Sequence, residues 1–172
     1  MEDKNQWFEI IYKRNHKRIY DFIYKYSNNE EVALDLMQET FLNFYKSYNE
    51  VGFPEDKAMM LLYTIARNNS INYHKKFSTQ KENQYDVDLY KSNKTSFEKE
   101  EELKDMELKL QQCLLELPED QRTAIILKNM ENMTLSQIAE IMGSSISTIS
   151  RLVVKATARL LELAEKNAIM PY

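Results

Sequence analysis

Residues 134–161 constrain the fold of this chain more than any other segment. They read TLSQIAEIMGSSISTISRLVVKATARLL, two runs of helical apolar spacing separated by a single glycine. Thr134, with Gln137 three residues later, has the spacing of a capping box at a helix start. Gly143 suits the left-handed end of that helix, and Ser145 can cap the next one. Two short helices with so tight a turn predict a helix-turn-helix, whose second helix enters the DNA major groove.

The predicted second helix carries a polar outward face without acids. Every charged side chain between residues 141 and 161 is basic, namely Arg151, Lys155 and Arg159. Cations on such a face suit contact with phosphates, although an ordinary helical hairpin with a solvated basic face remains the alternative. The predicted outward residues are Ser147, Thr148, Ser150, Arg151 and Lys155.

Composition favours an all-α protein, since only two Gly and three Pro interrupt long stretches of good helix formers. Cys113 is the only cysteine, which excludes an intrachain disulfide and a cysteine-cluster metal site. His16 and His74 are far apart, so we expect no metal and no cofactor. The polar N-terminus and the lack of a long apolar run predict a cytoplasmic protein without membrane insertion. No nucleophile–base pair or phosphate-binding loop is found, so we expect no enzyme.

The chain divides into two helical parts and a linker. Periodicity is lost and Ser, Asn, Asp and Thr increase after residue 77, which predicts a flexible linker. We therefore expect two small helical domains, residues 1–77 and 103–172, joined by residues 78–102. A second acid-free basic stretch, residues 57–81, combines cations, amides and aromatic rings. Such a combination suits single-stranded nucleic acid, although each aromatic ring could equally fill the core.

Taken in order, several segments resemble the sigma-70 family of bacterial transcription initiation factors, and its short extracytoplasmic-function (ECF) group in particular. Residues 35–42, DLMQETFL, are similar to region 2.2, and residues 61–68, LLYTIARN, with 72–73 and 75–76 are similar to regions 2.3 and 2.4. Similarity to the start of region 4 is found at Leu117-Pro118, Gln121-Arg122 and Ile126-Leu127. Similarity to its helix-turn-helix is found at residues 136–139, Gly143 and Thr148-Ile149. Departures include Leu61 and Asn72, where the family usually has Trp and Asp.

The resemblance implies a factor that binds core RNA polymerase, recognises promoter minus-35 and minus-10 elements, and helps to open the DNA. It implies docking on polymerase through Asp35, Gln38, Glu39 and Phe41. It also implies that the loop 49–57 and the helix after it capture a flipped base of the minus-10 element. The strand would be held by Arg67, Asn68, Asn72, Lys75 and Lys76. The minus-35 element would face Ser147, Thr148, Ser150, Arg151 and Lys155.

The same resemblance implies an anti-sigma factor as a further partner. Two other interpretations remain open from the sequence. One is a helix-turn-helix transcriptional regulator that does not bind polymerase, although residues 1–77 lack the βα alternation of a receiver domain. The other is a protein-only anti-sigma factor or adaptor, because the recognition helix has few basic residues.

Overall fold

The computed structural model describes residues 3–47, 53–81 and 98–169, and their regular structure is helical throughout. The elements are α1 (Lys4–Ser27), α2 (Glu30–Ser47), α3 (Glu55–Lys81), α4 (Glu98–Glu116), α5 (Glu119–Ile125), a π-helical segment (Ile126–Met130), α6 (Leu135–Met142) and α7 (Ile146–Lys166). The predicted all-α fold is confirmed. None of these helices combines the length and the apolarity that crossing a membrane requires.

Helices α1, α2 and α3 pack against one another around an aromatic core. Trp7 stacks on Phe44 with ring centroids 5.8 Å apart, and Phe22 meets Tyr63 edge-on at 5.3 Å. Large aromatic side chains bury much apolar area per residue, so they suit a core built from only three helices. The two side chains of the second pair are fully buried.

The helix-turn-helix forms as the sequence predicts. The Thr134 hydroxyl accepts from the Gln137 backbone N–H at 3.2 Å, and the Gln137 side chain accepts from the Thr134 N–H at 2.9 Å. Gly143 ends α6 in the left-handed conformation, with φ of 60°. The Ser145 hydroxyl caps α7 by accepting from the Thr148 N–H at 3.2 Å. These local hydrogen bonds fix the angle at which α7 leaves α6.

The predicted linker, residues 78–102, is helical at both of its ends. Helix α3 continues to Lys81 and α4 already begins at Glu98. Residues 82–97 lie outside the described part of the chain, and the domain boundaries stay a prediction.

The two halves of the chain contact each other. Helix α3 lies against α6, and α1 lies against α4. Buried side chains from both halves form one continuous apolar cluster, with Tyr26 and Tyr63 from the first half and Leu114 and Leu127 from the second. Polar contacts across this boundary bear directly on the candidate sites.

Candidate functional site

Helix α2 presents an exposed stripe in which apolar side chains flank polar ones. Asp35, Gln38 and Glu39 are exposed, as predicted from the sequence. Leu34 and Leu42 lie beside them with 46% and 50% of their surface exposed. Large exposed apolar side chains next to acids are typical of protein-binding surfaces. We call these five residues the α2 stripe.

The predicted partner contact through Phe41 needs correction. Phe41 is only 3% exposed, and its ring meets Tyr12 and Phe8 edge-on at centroid distances of 4.9 and 6.3 Å. These contacts with α1 place Phe41 on the inward face of α2, although its neighbour in sequence, Leu42, belongs to the α2 stripe. Its ring therefore holds α2 on α1 and offers little surface to a partner. Leu34 and Leu42 were missed because α2 has more apolar residues than one inward face needs.

Helix α3 carries the predicted single-strand face on its second half. Asn68, Asn72, Lys75 and Lys76 are exposed and follow one another at spacings that keep them on one side of a helix. Phe77, which is not among the residues predicted from the sequence, is 44% exposed. Its ring lies 5.2 Å from that of Tyr73, so an aromatic pair flanks the cations.

Arg67 differs from the other predicted strand-binding residues. Its side chain is only 16% exposed, and its Nη2 donates to Asp120 Oδ1 of α5 at 2.8 Å. In this arrangement Arg67 faces the other half of the chain rather than solvent. Because Arg67 and Asp120 are far apart in the sequence, no local sequence pattern predicts their salt bridge.

A cleft lies at the start of α3, where the family resemblance implies capture of a flipped base. Its volume is about 280 Å³, and it is lined by Phe53, Lys57, Met60, Leu61, Thr64 and Glu140. Glu140 belongs to α6, so the second half forms one wall of the cleft. The part of the predicted loop between residues 48 and 52 lies outside the described residues.

The outward face of α7 contains the predicted duplex-reading residues. Ser147, Arg151 and Lys155 are exposed, whereas Thr148 and Ser150 are half-buried. The Ser145 hydroxyl donates to Thr148 Oγ1 at 2.8 Å, so the Thr148 hydroxyl is partly engaged by the helix cap.

Two apolar side chains outside the set predicted from the sequence extend the outward surface of α7. Ile146 is 52% exposed and Val154 is 66% exposed. They lie eight residues apart, which keeps them on one side of the helix. Apolar side chains in the major groove contact thymine methyl groups.

A carboxylate at the end of the π-helical segment joins the two halves. Glu131 has a side chain only 7% exposed, and its Oε2 accepts from the Tyr63 hydroxyl and from Arg18 Nη2, the latter at 3.4 Å. Burial and the hydrogen bond to Glu131 raise the pKa of Tyr63 well above its usual value. The hydroxyl therefore stays protonated and able to donate at neutral pH.

Further polar contacts cross the same boundary around Tyr26. Its hydroxyl donates to the Glu119 carbonyl at 3.3 Å, and its ring lies 5.5 Å from the Arg122 guanidinium. Gln111 donates to the Lys25 carbonyl at 2.8 Å. Within the first half, burial lowers the pKa of His74 of α3, whose Nε2 lies 2.8 Å from the Tyr26 carbonyl of α1. The neutral imidazole donates there, since a carbonyl can only accept.

Comparisons with known proteins show the family to which this chain belongs. The chain matches the family model of sigma-70 region 2 over residues 11–79 and that of sigma-70 region 4 over residues 107–160. The RNA polymerase sigma factor SigV of Bacillus subtilis is 31% identical, over 83% of this chain and 82% of SigV. The ECF RNA polymerase sigma-E factor of Haemophilus influenzae is 25% identical, over 95% of this chain and 88% of that protein.

A solved structure has a similar fold. The sigma factor RpoE from Bartonella quintana, in complex with the anti-sigma factor NepR, superposes with a TM-score of 0.68. Sequence identity is 24%, and the match covers 92% of this chain and 96% of that one.

Proposed function

We propose which surface of this chain serves each step of transcription initiation. The chain belongs to the sigma-70 family of RNA polymerase sigma factors and to its extracytoplasmic-function group. Sigma factors are non-catalytic initiation factors. In the proposal, residues 1–77 form region 2, residues 78–102 the linker and residues 103–172 region 4. The chain acts in the cytoplasm, with RNA polymerase.

The α2 stripe docks on core RNA polymerase. It joins two exposed leucines to Asp35, Gln38 and Glu39, so it offers both apolar area and hydrogen-bonding groups to one partner. Buried apolar side chains at an interface centre supply most of its energy, while surrounding polar groups set orientation. This stripe is the observation that carries the proposal, because a surface suited to a protein partner distinguishes an initiation factor from a regulator that binds DNA alone.

The second half of α3 holds the non-template strand of the minus-10 element. Asn68, Asn72, Lys75 and Lys76 supply amide and cationic groups, and the cleft at the start of α3 receives an extruded base. Stacking or pocket contacts are worth about 1–3 kcal/mol per base, comparable with the cost of unstacking. Melting thus depends on several modest contacts acting together.

Helix α7 reads the minus-35 element in the major groove. Arg151 is the exposed residue whose forked guanidinium can bind a guanine edge, and Lys155 one turn later suits a phosphate. An anti-sigma factor is the further partner in this proposal, supported by the solved complex of the Bartonella quintana sigma factor with NepR.

Polymerase docking is tested by reversing one charge in the α2 stripe. We expect Asp35→Arg to weaken binding to core RNA polymerase at least tenfold, since a like charge at an interface costs several kcal/mol. The matched control is Glu107→Arg, at an exposed acid of α4, which makes the same charge change on a different helix. Affinity is measured by fluorescence anisotropy of the labelled chain with core polymerase. Equal affinities for both folded variants would contradict docking through the stripe.

A further inference from the structure

We propose that Ile146 and Val154 of α7 read the 5-methyl groups of thymines in the minus-35 element, on either side of the base pair that faces Arg151. Recognition of this element then depends on apolar contacts as much as on hydrogen bonds. The inference rests on the proposed function, because it names the chemical groups that α7 recognises in the major groove.

The polar side chains in the first turn of α7 are engaged by the helix cap. The Ser145 hydroxyl donates to Thr148 Oγ1 at 2.8 Å and lies 3.2 Å from Ser147 Oγ. Because Ser145 has a single hydroxyl proton, Ser147 is the donor in the second of these contacts. Ser147 must give up that hydrogen bond before its proton can reach a base edge, so the net gain from reading a base with it is small.

Apolar surface is freely available on the same helix. More than half of the Ile146 side chain is exposed, and Val154 is the most exposed large apolar residue in the described ranges. Val154 is two residues before Ala156, which is buried, and therefore lies on nearly the opposite side of α7. Covering these side chains with thymine methyl groups removes apolar area from water on both partners, which favours binding.

Charge identifies duplex DNA as the partner that covers this surface. Arg151 and Lys155 are exposed on the same side of α7 as Val154. Every charged side chain between residues 141 and 161 is basic. Phosphates border the major groove and thymine methyl groups line its floor, so DNA offers opposite charge around an apolar centre.

The spacing of the two side chains determines which base pairs they can reach together. Ile146 is the first residue of α7, and Val154 follows it by about 12 Å along the axis. Base pairs are stacked about 3.4 Å apart, so a helix aligned with the groove reaches thymines about three to four base pairs apart. Arg151 lies between the two side chains, about 7.5 Å from Ile146 along the axis. We therefore expect two T·A pairs with a G·C pair between them.

Replacement of thymine by uracil tests the proposal, because uracil differs from thymine only in lacking the 5-methyl group. The probe is a promoter duplex selected with the reconstituted polymerase, and each thymine of its minus-35 element is replaced in turn. Competition binding measures the affinity of the holoenzyme for each duplex. We expect a loss of about fourfold at two positions, the effect of removing one buried methyl group. Uracil placed in the flanking sequence is the control for changes in the DNA itself.

Alanine variants assign each methyl group to a side chain. Val154→Ala should reduce the effect of uracil at one of the two positions to less than about 1.5-fold, and Ile146→Ala should do so at the other, because the contact is already lost. Both side chains are exposed and Ala is a better helix former than Val or Ile, so the fold is preserved. The matched control is Leu103→Ala, at an exposed position of α4, which should keep both losses.

The outcomes separate this inference from the proposed function. A minus-35 element without thymine, uracil without effect at every position, or equal losses in all variants would each overturn the reading of methyl groups. If the chain directs polymerase to no promoter, the proposed function fails, and duplexes selected by the full chain alone serve as the probe for the same test. A chain that selects no duplex by either route overturns both.

Discussion

Arg122 shows how one buried side chain connects a helix end to the contact between the halves. It is 8% exposed and donates to the carbonyls of Leu114 at 2.8 Å, Leu115 at 2.7 Å and Leu117 at 3.0 Å. The last carbonyls of a helix have no partner within it, and the flat guanidinium satisfies three acceptors at the end of α4. The guanidinium also lies over the ring of Tyr26 in the other half of the chain.

Replacing Arg122 by Lys should therefore be costly although the charge is kept. We expect Arg122→Lys to lower the free energy of unfolding by about 2–4 kcal/mol, because an ammonium group cannot reach all three carbonyls and hydrogen bonds to charged groups are worth about 1.5–3 kcal/mol each. Urea denaturation followed by circular dichroism measures the change. Arg159→Lys, at an exposed ion pair on α7, is the control and should change it by less than about 0.5 kcal/mol. If Arg122→Lys lowers the free energy of unfolding by less than about 1 kcal/mol, the role assigned to the Arg122 guanidinium is contradicted.

At the scale of elements, local sequence signals predicted the helix-turn-helix, but they did not predict which side chains of α2 face the core. The caps at Thr134, Gly143 and Ser145 depend on residues at most three positions apart, so the sequence displays them directly. Helix α2 has apolar residues around much of its circumference, and periodicity alone therefore did not separate Phe41 from Leu42. Only packing against α1 determines which of the two is buried.

The proposed reading helix leads to a prediction about base recognition. Arg151→Ala should cost about 1–3 kcal/mol in binding to the selected promoter duplex and relax preference at one base pair, because a bidentate contact to guanine is lost. Lys166→Ala removes the same charge from the C-terminal end of α7, about 22 Å away along the axis, and should affect all sequences equally and weakly. Competition binding with a set of single-base variants measures both effects. An Arg151→Ala variant that weakens every sequence alike would assign that side chain to phosphate.

At the scale of the whole molecule, the sequence predicted two helical parts but not their contact. Arg18 and Glu131 are 113 positions apart, and no local rule of spacing relates a half-buried cation on α1 to a carboxylate after a π-helical turn. The predicted DNA-binding role of Arg67 likewise rested on the basic character of α3, whereas the structure holds its side chain against Asp120. Tertiary contacts of this kind depend on the arrangement of domains, which composition and periodicity do not encode.

Promoter-selective transcription tests the central claim most directly. Core RNA polymerase from the same organism is combined with the purified chain, and RNA is sequenced after transcription from a library of genomic fragments. We expect transcripts that start at defined positions, from fragments that share two motifs about 25 base pairs apart, and only when the chain is present. Transcription that is no more selective than that of core polymerase alone would contradict the claim. Selection of fragments by the chain through one motif, without any requirement for polymerase, would identify an ordinary helix-turn-helix regulator instead.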